Sequence, residues 1–91
     1  MSRTHELKIL KPFADAVFAR EKTFEVRKND RGFQKGDTVK FRVIDGDGRY
    51  IFHPLNSEKF MITYVLSGWG VKPDHVVFGI KEREVLRKWE R

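Results

Sequence analysis

The sequence predicts a small domain of the α+β class: a mixed β-barrel of five to six strands with one early helix beside it and a short C-terminal helix. Short runs with the two-residue alternation of a strand recur along the chain, and glycine, proline, asparagine and aspartate mark turns between them. Helical spacing interrupts this alternation near each end. A chain of 91 residues suits one domain with a modest core, so 1–91 is expected to be a single domain.

The first predicted strand is His5–Leu10, in which apolar and polar residues alternate. Because successive side chains of a strand point to opposite faces of the sheet, Leu7 and Ile9 are expected to face the core. The polar residues of this strand, with His5 among them, are expected to reach solvent or a cleft.

A predicted amphipathic helix follows at Pro12–Ala19. Proline suits a first helical turn because its missing N–H would have no partner there. Apolar residues then recur at the three- and four-residue spacing of a helix. Phe13 and Val17 are expected to be the buried anchors of this helix.

The strand Thr23–Lys28 is the element around which the predicted site is built. Phe24 and Val26 alternate with polar residues, so one face is expected to be apolar and to carry the packing. The opposite face carries a hydroxyl, a carboxylate and a guanidinium, from Thr23, Glu25 and Arg27. Such a row can bind a ligand, or it can be an ordinary solvated strand face on which the two charges neutralise each other.

The second half of the chain is predicted to supply the remaining strands and the closing helix. The predicted strands are Thr38–Ile44, Arg49–His53, Glu58–Leu66 and His75–Ile80. Their clearest inward-facing residues are Val39, Phe41, Val43, Val76, Phe78 and Ile80. The segment 45–48 is rich in glycine and aspartate and is expected to be a tight reversal. A calcium loop is not expected there, because it would need further oxygen ligands and a distant bidentate glutamate. The tail Lys81–Arg91 alternates charged and apolar residues in the manner of a short docked helix.

Charge and composition narrow the classes of partner. The net charge of +6 and the pI near 9.8 favour polyanions, with nucleic acid as the leading class. There are no cysteines, which excludes disulfides and thiolate metal sites and agrees with a reducing compartment. The three histidines share no metal-ligand spacing, so neither a metal nor a cofactor is expected. No apolar run approaches a membrane span or a signal peptide, and we expect a cytoplasmic monomer without membrane contact.

An ordered set of residues along the chain resembles the ASCH domains of the PUA-like superfamily. The residues that carry the resemblance are Lys22, Glu25 and Arg27 in the pattern Lys-x-x-Glu-x-Arg, then Asp30, Phe33 and Gly36-Asp37, with His5–Ile9 upstream. The chain is similar in particular to an uncharacterised bacterial and phage group of small ASCH-like proteins over about residues 5 to 81. It departs from the motif at Arg20, where the family has glycine. Either Arg20 therefore adopts a strained left-handed backbone or the preceding helix ends differently.

The resemblance implies a compact pseudobarrel with a cleft beside the early helix, and it implies that the motif residues line this cleft. These motif residues are Lys22, Glu25 and Arg27, and with Thr23, Arg31 and Trp69 they are the candidates for binding RNA or a nucleotide-like ligand. An arginine can bind a phosphate or a base edge with two hydrogen bonds, and a carboxylate can accept from an exocyclic amine. Trp69 lies between two glycines, where it can stack on a base or fold inward to cap the barrel.

Two other classes of function stay open at this stage. Some small ASCH proteins are amidohydrolases of acylated nucleosides that use a lysine, a threonine and a glutamate, and others are reported as ribonucleases. This chain matches the lysine with Lys22 but has Glu25 where that group has its threonine, so these two residues are the catalytic candidates if it is an enzyme. The third reading is a protein-interaction adaptor that uses the C-terminal helix around Trp89.

Overall fold

The computed structural model describes residues 2–84, which form five strands, one α-helix and one 3₁₀ turn. The strands are β1 (Thr4–Leu10), β2 (Phe24–Lys28), β3 (Thr38–Ile44), β4 (Lys59–Leu66) and β5 (His75–Glu84), the helix is α1 (Lys11–Phe18), and the 3₁₀ turn is Pro54–Ser57. The fold is α+β, as the sequence predicts. Within the described range, no helix is long and apolar enough to cross a membrane.

The strands form one curled sheet in the order β1-β3-β4-β5-β2, which makes an open half-barrel. β1 runs parallel to β3, and every other neighbouring pair is antiparallel. The first and last strands in this order each have a free edge, and the curl of the sheet brings these two edges together. Side chains bridge the gap: Arg27 of β2 donates to the backbone oxygen of Lys8 on β1 at 2.7 Å. The half-barrel is therefore closed by side chains where a full barrel would be closed by a backbone ladder.

The core fills the concave side of the sheet. Its largest fully buried side chains include Phe41, Phe60 and Phe78, one from each of the three inner strands. The inward faces predicted for β3 and β5 are confirmed, because Val39, Phe41, Val43, Val76, Phe78 and Ile80 are all buried. These strands have clean alternation and lie in the middle of the sheet, where burial of one face decides the register.

The helix α1 packs on the core through Ala14 and Val17, which are fully buried. It starts and ends one residue earlier than the predicted helix. Val17 is confirmed as a buried anchor, but the prediction for Phe13 is wrong, because that ring is 51% exposed. Residue 13 lies about 100° around the helix from residue 14, so its side chain falls on the margin of the buried stripe and faces the gap between the free strand edges.

The residue after the helix has a left-handed backbone. Arg20 has φ of +65°, which confirms the first of the two alternatives derived from the missing glycine. A non-glycine residue in this region costs about 1–2 kcal/mol. Its guanidinium offsets this cost because it donates to the backbone oxygen of Val17 at 3.0 Å and to the carboxylates of Glu58 at 3.1 Å and Glu82 at 3.0 Å.

Two predicted elements differ from those observed. Arg49–His53 is not a strand: apart from a bridge between Ile44 and Tyr50, this segment makes no ladder. The reversal before it is confirmed, and the Asp45 carboxylate accepts from two backbone N–H groups of the turn. The predicted tail helix is wrong over its first residues, because β5 continues through 81–84, and the rest of it lies outside the described residues.

His5 is buried rather than solvent-facing, which corrects the prediction for β1. The two-residue period places it on the same face as Leu7 and Ile9, and only 5% of it is exposed. Its ring Nε2 lies 2.8 Å from the Asp37 carboxylate, which satisfies both buried groups. His5 can therefore occupy an inward position because its hydrogen-bond partner lies 32 residues away in the sequence.

Candidate functional site

The strand β2 turns its polar face inward and its apolar face outward. Glu25 is 3% exposed, whereas Phe24 and Val26 are 44% and 54% exposed, so the predicted orientation of this strand is wrong. The register explains the inversion: Glu25 lies directly opposite Phe78 on β5, and directly opposite residues of an antiparallel pair point to the same face. Since Phe78 is in the core, Glu25 must point inward as well.

The buried Glu25 carboxylate is held between two cations. Arg27 contacts its Oε1 through Nε at 2.9 Å and Nη2 at 2.8 Å, and the Lys22 ammonium contacts its Oε2. The carboxylate is 4% exposed, while Lys22 and Arg27 keep 19% and 25% of their side-chain surface exposed. The three groups carry one net positive charge, and the cations form the water-accessible side of the network.

Each cation also contacts a wall of the surrounding cleft. The Lys22 ammonium donates to the backbone oxygen of Phe24 at 2.7 Å, and it lies 4.9 Å from the centre of the Phe24 ring and 5.9 Å from that of Phe13. Arg27 donates across the gap to Lys8. These contacts fix the positions of both cations before any ligand arrives, which lowers the entropy lost on binding.

The cleft is a cavity of about 560 Å³ between the free edges of β1 and β2. Its lining residues are Lys8, Ile9, Leu10, Phe13, Lys22, Phe24, Glu25, Val26 and Arg27. The cavity wraps around the edge of β2, so side chains from both faces of that strand line it. Its volume falls within the range of about 300–1,000 Å³ that is usual for small-molecule sites, and its mainly apolar wall with a few convergent polar groups is typical of them.

A second cavity, of about 380 Å³, adjoins the cleft, and we call it the basic depression. It is lined by Glu6, Lys8, Arg27, Arg31, Arg42 and Tyr50. Lys8 and Arg27 line both cavities, so the two are direct neighbours. Arg31 donates to the backbone oxygen of Glu6 at 2.9 Å and thus spans the same gap as Arg27.

The structure brings together some of the predicted site residues and separates the others. Lys22, Glu25 and Arg27 share the cleft, and Arg31 lies in the basic depression. Thr23 does not line the cleft but a neighbouring hollow, which shares Lys22 with the cleft. Trp69, with φ of +55°, is 92% exposed on the loop between β4 and β5, so the alternative in which it caps the barrel is wrong. It does not line the cleft or the depression.

Sequence reasoning missed the apolar wall of the cleft. Leu10, Phe13, Phe24 and Val26 were either assigned to the core or left without a role, and all four are at least 40% exposed. A local signal pointed to the correct orientation of β2. Glu25 has a lysine three residues before it and an arginine two residues after it, which gives a buried carboxylate both of its partners close by in the sequence.

Two ionic contacts outside the cleft stabilise the fold: the buried Asp37 with His5, and the exposed Asp15 with His53 and Lys11. Burial raises the pKa of Asp37, but hydrogen bonds from the His5 ring and from the backbone N–H groups of Arg3 and Gln34 outweigh this effect and hold its pKa below 3.8. The pKa of Asp15 is lowered by the His53 ring, 2.8 Å away, and by Lys11. Between residues 2 and 84, no group of three or more histidine and acidic side chains could hold a metal ion.

Fold and site together define a small α+β half-barrel whose open gap holds a cation-flanked carboxylate beside exposed aromatic rings. The chain belongs to the family described as Domain of unknown function (DUF3850), whose model matches residues 4–80. The matched segment contains every residue that lines the cleft and the basic depression. A search of curated proteins finds no match to this chain.

Proposed function

We propose that the protein is an RNA- or nucleotide-binding domain of the PUA-like (ASCH) type and that the cleft between β1 and β2 is its binding site. The observation that carries the proposal is the fixed Lys22–Glu25–Arg27 network on the wall of a cavity with exposed aromatic rings. The position of α1, which contributes Phe13 to the cleft, supports the resemblance from which the ASCH assignment comes.

The cleft offers the chemistry that an unstacked base requires. The Phe13 and Phe24 rings provide flat apolar surface, and stacking of a base on such a ring is worth about 1–3 kcal/mol. An ionised carboxylate has about four acceptor sites, and Glu25 accepts one hydrogen bond each from Lys22 and Arg27, so it retains acceptor capacity for an exocyclic amine. Single-stranded or looped RNA suits this site best, because a base inside a duplex cannot enter it.

The charge of the chain supports a polyanionic ligand. The net charge is +6, and the segment 22–40 carries six basic and three acidic residues. Each phosphate contact on a single strand contributes about 0.7 to the slope of log affinity against log salt, so two to four contacts give a slope of roughly −1.4 to −2.8. RNA affinity measured between low and physiological salt is expected to follow this slope. Binding that is indifferent to salt would contradict the polyanion argument.

Amide chemical shifts recorded during titration with nucleosides and short RNAs test the site itself. The expected result is a set of shifts at 22–27 and at 8–13, which are the two sides of the cleft. Shifts confined to the loop around Trp69, or to residues after 84, would contradict the assignment of the cleft. Phe52, which is 98% exposed and lines neither cavity, provides an internal control for non-specific stacking on exposed rings.

An enzymatic role is the second candidate, because the Lys22–Glu25 contact places a carboxylate and an ammonium side by side in an apolar-walled cleft. In this role Glu25 is the general base and Lys22 the electrophile, acting on an acylated nucleoside or on RNA. Product formation that is abolished in Glu25→Gln, while ligand binding persists, would favour the enzyme. The adaptor reading depends on the tail, which lies outside the described residues, and it stays a prediction.

The location and assembly of the protein are part of the same proposal. A cytoplasmic monomer without metal or cofactor agrees with the absence of cysteines and with an RNA ligand. Size-exclusion chromatography with light scattering measures the assembly state, and a mass near 10.8 kDa is expected.

A further inference from the structure

The basic depression adjoins the cleft and differs from it in chemistry. The cleft has a mainly apolar wall, whereas four of the six residues around the depression are cationic: Lys8, Arg27, Arg31 and Arg42. Glu6 is the acidic member, and its carboxylate lies 3.6 Å from Arg42 with both side chains about half exposed. The Asp30 carboxylate likewise lies 4.0 Å from Arg31, and both of these side chains are about half exposed or more. Exposed pairs of this kind are weak, so the depression keeps an excess of positive charge.

The cations of the depression are held in place by neighbouring groups. Arg27 and Arg31 are fixed by their hydrogen bonds to the backbone oxygens of Lys8 and Glu6. The Arg42 guanidinium carbon lies 4.1 Å from the centre of the Tyr50 ring, which orients the guanidinium plane. A guanidinium carries five N–H donors, so Arg31 and Arg42 retain donors for a further acceptor beyond the contacts described.

The spacing along β1 relates the two cavities. Leu10 and Lys8 line the cleft, and Lys8 and Glu6 line the depression. Residues two apart on a strand are about 6.6 Å apart, so the depression begins one side-chain position beyond the cleft. A group bound there is a direct neighbour of a group bound in the cleft, and a single nucleotide joins an apolar base to an anionic phosphate at this kind of short separation.

We propose that the basic depression binds the phosphate of the nucleotide whose base occupies the cleft, with Arg31 and Arg42 as its main ligands. Arginine is suited to this role because its planar fork matches phosphate oxygens with two hydrogen bonds. The proposal rests on the proposed function and adds to it that the ligand is a nucleotide, either a monophosphate or one unit of an RNA strand, rather than a free nucleoside.

Calorimetric titration with matched probes tests this inference. The probes are the four ribonucleosides, their 5′- and 3′-monophosphates, dinucleoside monophosphates, and inorganic phosphate. A monophosphate is expected to bind about tenfold or more tightly than its nucleoside, because charge-assisted hydrogen bonds are strong. If a terminal monophosphate raises the affinity above that of the nucleoside but the internal phosphate of a dinucleotide does not, the ligand is a mononucleotide. If both raise the affinity, the ligand is an RNA strand.

Variants separate the phosphate subsite from the cleft. Arg31→Gln and Arg42→Gln are each expected to remove most of the gain from the phosphate. Arg42 contacts Glu6 and Tyr50 rather than β2, so Arg42→Gln is also expected to leave nucleoside affinity unchanged. Lys35→Gln is the matched control, because it removes the same charge from an exposed residue that lines neither cavity. Equal losses in the control and in the two arginine variants would reduce the effect to net charge and overturn the subsite.

The outcomes also distinguish this inference from the proposed function. Nucleoside binding without any gain from a phosphate would overturn the inference and leave the cleft assignment intact. Failure of every probe to bind would overturn both. Chemical shifts of the Arg31, Arg42 and Tyr50 amides that move with the monophosphates but not with the nucleosides are the result that supports the subsite directly.

Discussion

Replacing Glu25 with glutamine tests whether the polar face of β2 is a buried ionic network or a solvated surface. The change keeps the shape of the side chain and removes the charge that Lys22 and Arg27 share. Breaking a buried ion pair by removing one partner costs about 3–5 kcal/mol. The two cations are 19% and 25% exposed, and water can therefore solvate them in part. We expect a loss near the lower limit, about 3 kcal/mol in the free energy of unfolding.

Thermal and urea unfolding measure this loss. For a domain of this size, about 3 kcal/mol lowers the Tm by roughly 12–24 °C. Glu21→Gln is the matched control, because it makes the same chemical change on an exposed residue after α1, and it is expected to alter stability by less than about 0.5 kcal/mol. A Glu25→Gln variant as stable as this control would refute the buried network and restore the solvated strand face.

Three further variants probe the ligand contacts and the support of the fold. Arg27→Lys keeps the net charge but removes a planar group that contacts both Glu25 and the Lys8 backbone. RNA affinity measured by NMR titration is therefore expected to fall about tenfold. Unchanged affinity would exclude a specific contact between Arg27 and the ligand. Phe13→Ala removes a half-exposed ring, so it is expected to weaken base binding by about 1–3 kcal/mol with little change in Tm. A large drop in Tm would show instead that this ring packs in the core. Asp37 has a lowered pKa in the fold, so its ionised form stabilises the protein above its ordinary pKa of 3.8, and this stability is lost as the pH falls through the lowered value. Asp37→Asn is expected to flatten the fall in unfolding free energy below about pH 4, and an unchanged slope would contradict this linkage.

The sequence predicted the middle of the sheet well because local pattern and burial agree there. On β3 and β5, alternate residues are large and apolar, and only one choice of face buries them. The left-handed backbone of Arg20 was one of the two alternatives that the sequence offered, since a motif glycine at that position implies a left-handed residue.

The orientation of β2 was not accessible from alternation alone. A two-residue period defines two faces but not which of them meets the core, and here the register with β5 decides. The expectation that the apolar face of a strand meets the core was wrong for β2. Glu25 can be buried because both of its charge partners are nearby, and Phe24 stays exposed because it lies at a free edge beside the cleft.

The cleft itself depends on contacts between distant parts of the chain. The parallel pairing of β1 with β3 and the curl of the sheet bring Lys8 to Arg27, which are 19 residues apart. His5 likewise finds its partner at Asp37. Such pairings arise from topology, and no local pattern in the sequence encodes them. Sequence reasoning could therefore name three of the cleft residues, Lys22, Glu25 and Arg27, but not the apolar wall opposite them.

The most direct test of the central claim is the measurement of intermolecular nuclear Overhauser effects between the protons of a bound RNA base and the aromatic rings of the protein. Binding in the cleft predicts contacts from the base protons to the ring protons of Phe13 and Phe24. Contacts to the Trp69 ring alone, in a complex that leaves Phe13 and Phe24 without any, would contradict it.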